Sequence, residues 1–279
     1  MTFKTLENIS TDELLEVFND SFSDYLVPFK LTKEQLESKL NSENIKPDLS
    51  TGAFENNRCI GFILHGYDII KGTATAYNGG TGVIPGNRGN NLTAKMYEYI
   101  IPILQQQGIK KIQFEVITGN KPAIKVYEKI GFKIIRGLHC YKGFVSSKEV
   151  PTNFTIQDVK EYKWEKFQLF WNWAPSWQNS ITAVEKIKQS NIAKGIYNND
   201  AIIGYIIYNP ITKRVQQFAV DKNYRNKGAG RLLFESIAKI NNNEITLINV
   251  DGNPEETKAF LNKLGLKVFI EQYEMEFDL

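Results

Sequence analysis

The stretch "VYEKIGF" at 126–132 lies over "FLNKLGL" at 260–266 without a gap, and the same register carries Val116 onto Val250 and Gly131 onto Gly265. Upstream, Arg88 matches Arg225 at an interval only three positions longer. An interval this long is far beyond the period of a solenoid, so it predicts two copies of one globular domain in tandem. The chain has 279 residues, 42% of them hydrophobic and 23% charged, which is enough to bury two cores. Between the copies the polar, Pro-containing "SSKEVPTN" resets the pattern, which places one domain at 1–147 and the other at 152–279.

Each copy mixes strands and helices, an α/β (α+β) order. In the first, "FKTL" reads as a short strand and Thr11 as the cap of a helix beginning "TDELLEVF". "LTKEQLESKLNSEN" reads as a second helix, capped by Thr32, with Leu36 and Leu40 on one face. "GAFENNRCIGFILHGYD" reads as a hairpin. "TATAYNGGTGVI" reads as a strand in which Gly79 and Gly80 predict a bulge or the close approach of another backbone. "KIQFEVI" is a further strand, and "KPAIKVYEKI" a helix opened by Pro122 and ended by Gly131. The second copy repeats the order, with a helix expected around "EKFQLFWNW", where Trp164, Phe167 and Trp171 fall on one stripe and read mainly as core. Trp173 and Trp177 lie off that stripe and are candidates for lining a cleft.

The chemistry concentrates where a strand turns into a helix. A helix start carries N–H groups without intrahelical partners and a partial positive charge, so a turn that gathers several N–H groups makes an anion nest suited to a pyrophosphate. "RNKGAG", from Arg225 to Gly230, has the glycines for such a turn, and Lys227 and Arg231 add charge. The matching turn in the first half reads Arg88-Gly89-Asn90-Asn91-Leu92-Thr93. Asn tolerates the left-handed conformation best among residues with a side chain, and a threonine inside the helix start still offers its N–H. The first turn is therefore expected to be weakened at most. Neither half contains G-x-x-x-x-G-K-[ST], and "GAGRLL" lacks the third glycine of a dinucleotide fingerprint.

Other classes are excluded by what is missing. Net charge is +3 with no basic stripe, which argues against a nucleic-acid partner. Cys59 and Cys140 are too few for a disulfide framework or a zinc quartet, and His65 and His139 stand alone, so no metal site is expected. The N-terminal "MTFKTLENISTDELLEVF" has no basic-then-apolar leader, and no apolar run approaches the ~18 residues of a membrane span. A cytoplasmic protein with no membrane partner is expected.

Arg-x-x-Gly-x-Gly after a strand, followed by a strand and a helix ending in Tyr-x-x-x-Gly-Phe, resembles the GNAT superfamily of acyl-CoA N-acyltransferases. The pattern Asn120, Ala123, Tyr127, Gly131, Phe132 matches it in full in the first half. The whole arrangement, including "NGGTGVIPGNRG" and "PSWQNS", resembles bacterial tandem-GNAT acetyltransferases. The resemblance implies two tandem GNAT domains, each a mixed V-shaped sheet of about seven strands flanked by helices, with the acyl-CoA in the splay. It implies N-acetyl transfer from acetyl-CoA, a co-substrate used without a metal, to a primary amine on a small molecule or peptide. A monomer or homodimer is compatible with it.

Residue by residue, the resemblance assigns coenzyme A binding in the first half to Val83, Arg88, Gly89, Asn90, Asn91, Leu92, Thr93 and Asn120. In the second half it assigns Val220, Arg225, Asn226, Lys227, Gly228, Ala229, Gly230 and Arg231. Tyr127 corresponds to the general acid for the leaving thiolate, and Glu115 is a candidate base, directly or through water. Alternation puts Phe114 and Val116 on one face of their strand and Glu115 on the other, without choosing between the faces. Asp24 and Tyr25, in "FSDYLVPF", are candidates for the border of the acceptor pocket. The halves depart from the family pattern in complementary ways: the second has the intact turn but Leu261 in place of Tyr127. Catalysis in the first half is the leading expectation. The alternatives are a non-catalytic acyl-CoA-binding or sensing protein, and catalysis in the second half with another proton donor.

Overall fold

A computed structural model describes residues 1–24, 30–146, 148 and 153–279. Tyr25 and most of "SSKEVPTN" lie outside the described residues. The chain forms two compact units, Met1–Ile135 with Tyr273–Leu279, and Arg136–Gln272. These units are not the sequence halves 1–147 and 152–279. Residues 136–146 sit in the second unit and 273–279 in the first. The strand that follows the last helix of each half supplies its pairing edge away from that half, an exchange that leaves no trace in local pattern.

Unit 1 contains β1 (Thr2–Thr5), α1 (Thr11–Ser21), α2 (Lys33–Ser42), β2 (Thr51–Glu55), β3 (Arg58–Ile70), β4 (Thr73–Val83), α3 (Leu92–Gln106), β5 (Lys111–Ile117) and α4 (Lys121–Ile130). The cap of α1 is Ser10 rather than Thr11: its hydroxyl accepts from the Glu13 N–H at 3.2 Å, and Thr11 is already helical. Thr32 caps α2 as expected and completes a capping box with Gln35. β1 to β4 pair antiparallel in order. β5 joins β4 in parallel only from Thr75↔Lys111 to Tyr77↔Gln113, and beyond that register β4 runs on to Val83 and β5 to Ile117. This is the splay of a V.

A bulge marks the place where β4 and β5 separate. Leu64 faces Gly80 and His65 faces Asn78, which leaves Gly79 as the extra residue. A Cβ there would lie 2.5 Å from a Glu43 carboxylate oxygen and 2.8 Å from Ile45 Cδ1, so a larger residue would have to displace both side chains. One face of the sheet packs on α3 and α4 through Met96, Tyr97, Ile100, Ile124 and Tyr127, and includes Met275 from the chain's end. The other packs on α1 and α2 through Leu14, Val17, Phe18 and Leu36.

Unit 2 takes in β6 (Lys133–Phe144) beyond its first residues, then β7 (Thr155–Asp158), α5 (Trp164–Gln168), α6 (Ile181–Lys186), β8 (Ile192–Asn198), β9 (Ala201–Asn209), β10 (Arg214–Val220), α7 (Ala229–Ala238), β11 (Glu244–Asp251) and α8 (Glu255–Leu264). β12 (Leu266–Asp278) begins in this unit and ends in unit 1. β10 and β11 pair in parallel at Arg214↔Thr246 and Val215↔Leu247, then separate next to a bulge at Gln216, so the splay is repeated. The helix expected around "EKFQLFWNW" stops at Gln168. Trp164 and Phe167 lie on its core side, and Trp171 reaches the same core from beyond the helix end.

Candidate active site

The first turn keeps the backbone of the second, with glycine and asparagine exchanged. In unit 1, Gly89 (φ +82°) and Asn91 (φ 58°, ψ 26°) are left-handed; in unit 2, Asn226 (φ 60°) and Gly228 (φ 87°) are. Each turn thus has left-handed residues at its second and fourth positions, filled by the two residue types that tolerate them. The fourth residue is the N-cap, and among the described residues neither α3 nor α7 has a side-chain cap. The first intrahelical bond of α3 is Lys95 N–H to Asn91 O at 3.1 Å. The N–H groups of Leu92, Thr93 and Ala94 therefore precede it, as the geometry of a helix start requires.

The turn arginines brace the backbone. Arg88 Nε donates to Val83 O at 3.1 Å, and its Nη2 donates to Ser21 O at 2.9 Å. Its guanidinium also grips Asp24 bidentately at 2.8 and 2.7 Å, which holds the Asp24 carboxyl below the usual carboxylate range. Arg225 repeats the brace, donating to Val220 O and Phe170 O at 3.0 Å each. Arg231 donates to Ser146 O and Lys263 O, and Asn90 donates to Asn87 O. Lys227 lies over the Tyr224 ring.

In unit 1 a cleft of about 620 Å³ joins the turn to α4. Val83, Arg88, Gly89, Asn91, Leu92, Thr93, Asn120 and Tyr127 line it, as do Thr81, Gly82, Gly119, Ala123 and Val126. Asn120 caps α4 through its Oδ1, which accepts from the Ala123 N–H at 3.2 Å. Tyr127 is 7% exposed, its ring against Phe114 at 4.2 Å and edge-on to Tyr97 at 6.2 Å. Glu115 and Asn90 are not among the lining residues. Glu115 lies on the sheet face opposite Phe114 and Val116, where it accepts from the Tyr77 hydroxyl at 2.6 Å. The acid and base candidates thus flank the sheet from opposite faces.

Sequence reading passed over the support of the bulge. Asn78 Oδ1 accepts from the Gly80 N–H at 3.0 Å, and its Nδ2 donates to Thr81 Oγ1 and to the Tyr97 hydroxyl, both at 2.8 Å. Burial first, and then the neighbouring Tyr127, push the Tyr97 hydroxyl well above the ordinary tyrosine range. The Asn-Gly-Gly sequence was the available signal, since a side-chain amide beside a bulge is placed to bind its backbone.

Unit 2 has a different interior. The cavity beside its turn measures about 110 Å³ and is lined by Phe170, Trp173, Phe218 and Phe260 together with Arg225, Asn226, Gly230, Glu256 and Thr257. Trp173 lines this cavity, whereas Trp177 is buried. Asn179 spans the splay, donating to Ile248 O of β11 at 2.8 Å and accepting through its backbone carbonyl from Gln217 of β10. Leu261 is fully buried, and Pro254 stands at the position of Asn120 without a side-chain cap. Among the described residues no group of three His, Cys, Asp or Glu side chains is placed to hold a metal ion, and no helix is long and apolar enough to cross a membrane.

These features have counterparts in known proteins. The model of the acetyltransferase (GNAT) family matches residues 8–132, and that of an acetyltransferase (GNAT) domain matches 194–267. The chain is 26% identical over 96 residues to N-alpha-acetyltransferase 30 of Schizosaccharomyces pombe, across 34% of this chain and 64% of that one. It is 28% identical over 126 residues to an acetyltransferase of Pectobacterium atrosepticum, across 45% of this chain and 84% of that one. The fold of a tandem GNAT protein from the clavulanic acid biosynthesis pathway superposes with a TM-score of 0.72 at 13% identity, over 99% of this chain and 98% of that one. With two family matches that together span most of the chain, a V-shaped sheet in each unit and a turn with two left-handed residues at a helix start in both, the chain belongs to the GNAT acetyltransferase family as a tandem of two GNAT domains.

Proposed function

We propose that unit 1 transfers an acetyl group from acetyl-CoA to a primary amine. The observation that carries this reading is the single cleft that runs from the uncapped start of α3 to Tyr127. Its volume of about 620 Å³ falls within the roughly 300–1,000 Å³ of small-molecule sites. The N–H groups after Asn91 fit an anion, and glycine and asparagine at the left-handed positions let it approach the backbone. The residues assigned to coenzyme A in this unit, Val83, Arg88 to Thr93 and Asn120, act mainly through the backbone they shape, with Arg88 as brace.

In this reading the neutral amine nitrogen attacks the thioester carbonyl, the C–S bond breaks as the thiolate takes a proton from Tyr127, and the proton lost from the new amide nitrogen restores Tyr127 by way of water. A free amine with a pKa near ~10 arrives protonated, so a base must remove its proton. Glu115, oriented by Tyr77, supports that role from the opposite face of the splay, through water. Backbone N–H groups of β4 near Val83 support the developing oxyanion, held in place by the Asn78 contacts at the bulge. The S. pombe relative is named an N-alpha-acetyltransferase, so peptides with a free α-amine belong beside small primary amines in the first panel tested.

Thiol release from acetyl-CoA with such a panel tests the reading. Tyr127→Phe is expected to lower kcat by about a hundredfold or more while coenzyme A affinity stays unchanged. Undiminished turnover would remove Tyr127 from the mechanism. Coenzyme A binding without turnover on any amine would favour a sensing protein.

A further inference from the structure

We infer that the second unit's copy of the coenzyme site is sealed from within, and that Phe260 is the seal. The register that places Val116 on Val250 also places Val126 on Phe260, and it matches α4 with α8 end to end. Val126 lines the wide cleft of unit 1, and Phe260 lines the narrow cavity of unit 2. The turn shows the reciprocal change, with Thr93 in unit 1 and Gly230 in unit 2. A Cβ at Gly230 would meet the Phe260 ring at 2.9 Å. The glycine that makes the second turn look intact is therefore matched to the partly buried ring of Phe260. In unit 1 a larger turn residue sits across from a smaller helix residue, and the cleft between them stays open.

The ring is held firmly. Phe260 packs against Phe234 at 5.6 Å and Phe218 at 6.2 Å, and Phe218 meets Trp173 edge-on at 5.9 Å. On the far side of the splay, Asn179 bonds both β10 and β11, where the gap in unit 1 separates β4 from β5. A cavity of about 110 Å³ is well below the size of ordinary ligand sites. Unit 2 thus keeps the backbone of the anion nest while its own side chains take the space beyond it.

Calorimetric titration of coenzyme A into the full chain tests this, comparing wild type with Phe260→Val, which installs unit 1's residue. The variant is expected to bind one more coenzyme A per chain than wild type. Equal stoichiometry in a variant whose melting transition shows it folded overturns the assignment. Should the variant not fold, hydrogen exchange on wild type decides. Excess coenzyme A is expected to slow exchange at the start of α3 and to leave the start of α7 unchanged. Protection at α7 overturns the seal, whereas absence of protection at α3 contradicts the function proposed for unit 1 and leaves the seal standing.

Discussion

Asn91 holds a left-handed backbone that most side chains enter at a cost of roughly 1–2 kcal/mol. Asn91→Ala is accordingly expected to destabilise unit 1 by about 1 kcal/mol and to weaken coenzyme A binding, and Asn91→Gly to do neither; thermal melting and calorimetry read both. His65 sets a second expectation. It is fully buried, its Nδ1–H donates to Leu49 O at 2.8 Å, and its Nε2 has no hydrogen-bond partner among the described residues. Burial holds its pKa down to about 4 from 6.5, although the bond to Leu49 opposes the shift. Because the folded pKa lies below the unfolded one, the unfolded chain takes up the proton first. Stability is complete above about pH 6.5 and falls as the pH drops towards 4, by about 3 kcal/mol in all. His65→Gln should flatten that part of the stability profile, and an unchanged acid slope would show that other groups set it.

At the scale of elements, α4 was largely legible. Pro122 sits in its first turn where no N–H is needed and left-handed Gly131 ends it, both as read, while the Asn120 cap emerges only in the structure. α5 was not, because seven aromatics between Tyr162 and Trp177 give a helical stripe whichever backbone carries them. Here Trp171 reaches the core from beyond the helix and donates to the Tyr205 hydroxyl at 2.6 Å. The turns were legible as motifs, but the contacts of their side chains were not. Arginine in such a turn suggests a phosphate ligand, and the structure spends both arginines on backbone carbonyls. Gly230 suggests room for a ligand, yet a ring from α8 lies against it. Contacts between distant positions decide both, and only aligning Val126 with Phe260 pointed to them. Asn179, inside "PSWQNS", is the element that stitches the second splay. Asn179→Ala leaves Arg214 without the Oδ1 acceptor at 2.6 Å and Ile248 O without its donor. It is expected to destabilise unit 2 by about 2–3 kcal/mol, visible as a lower denaturation midpoint.

For the whole molecule, the ends of the units are not the ends of the halves. Met275, ten residues beyond Gly265, is fully buried in the same core as Tyr127. Lys111 pairs with Glu276, and the Leu279 N–H donates to Lys110 O at 2.9 Å. Deleting Tyr273–Leu279 removes nothing from unit 2 and is expected to destabilise unit 1 by at least the 2–5 kcal/mol of a buried methionine, with loss of its activity. The two-domain pattern was plain in the sequence because repeats preserve local signals. The exchange of end strands was not, because a strand carries no mark of which sheet it will join. The account as a whole rests on an open cleft in one copy and a closed one in the other, set by one pair of matched positions. The most direct measurement is therefore acetyl-CoA turnover by full-length Val126→Phe with a responsive amine, with a melting curve to show that it folds. The account predicts that turnover and coenzyme A affinity both fall at least tenfold. Wild-type turnover in a folded Val126→Phe would contradict it and return the chemistry to the second unit.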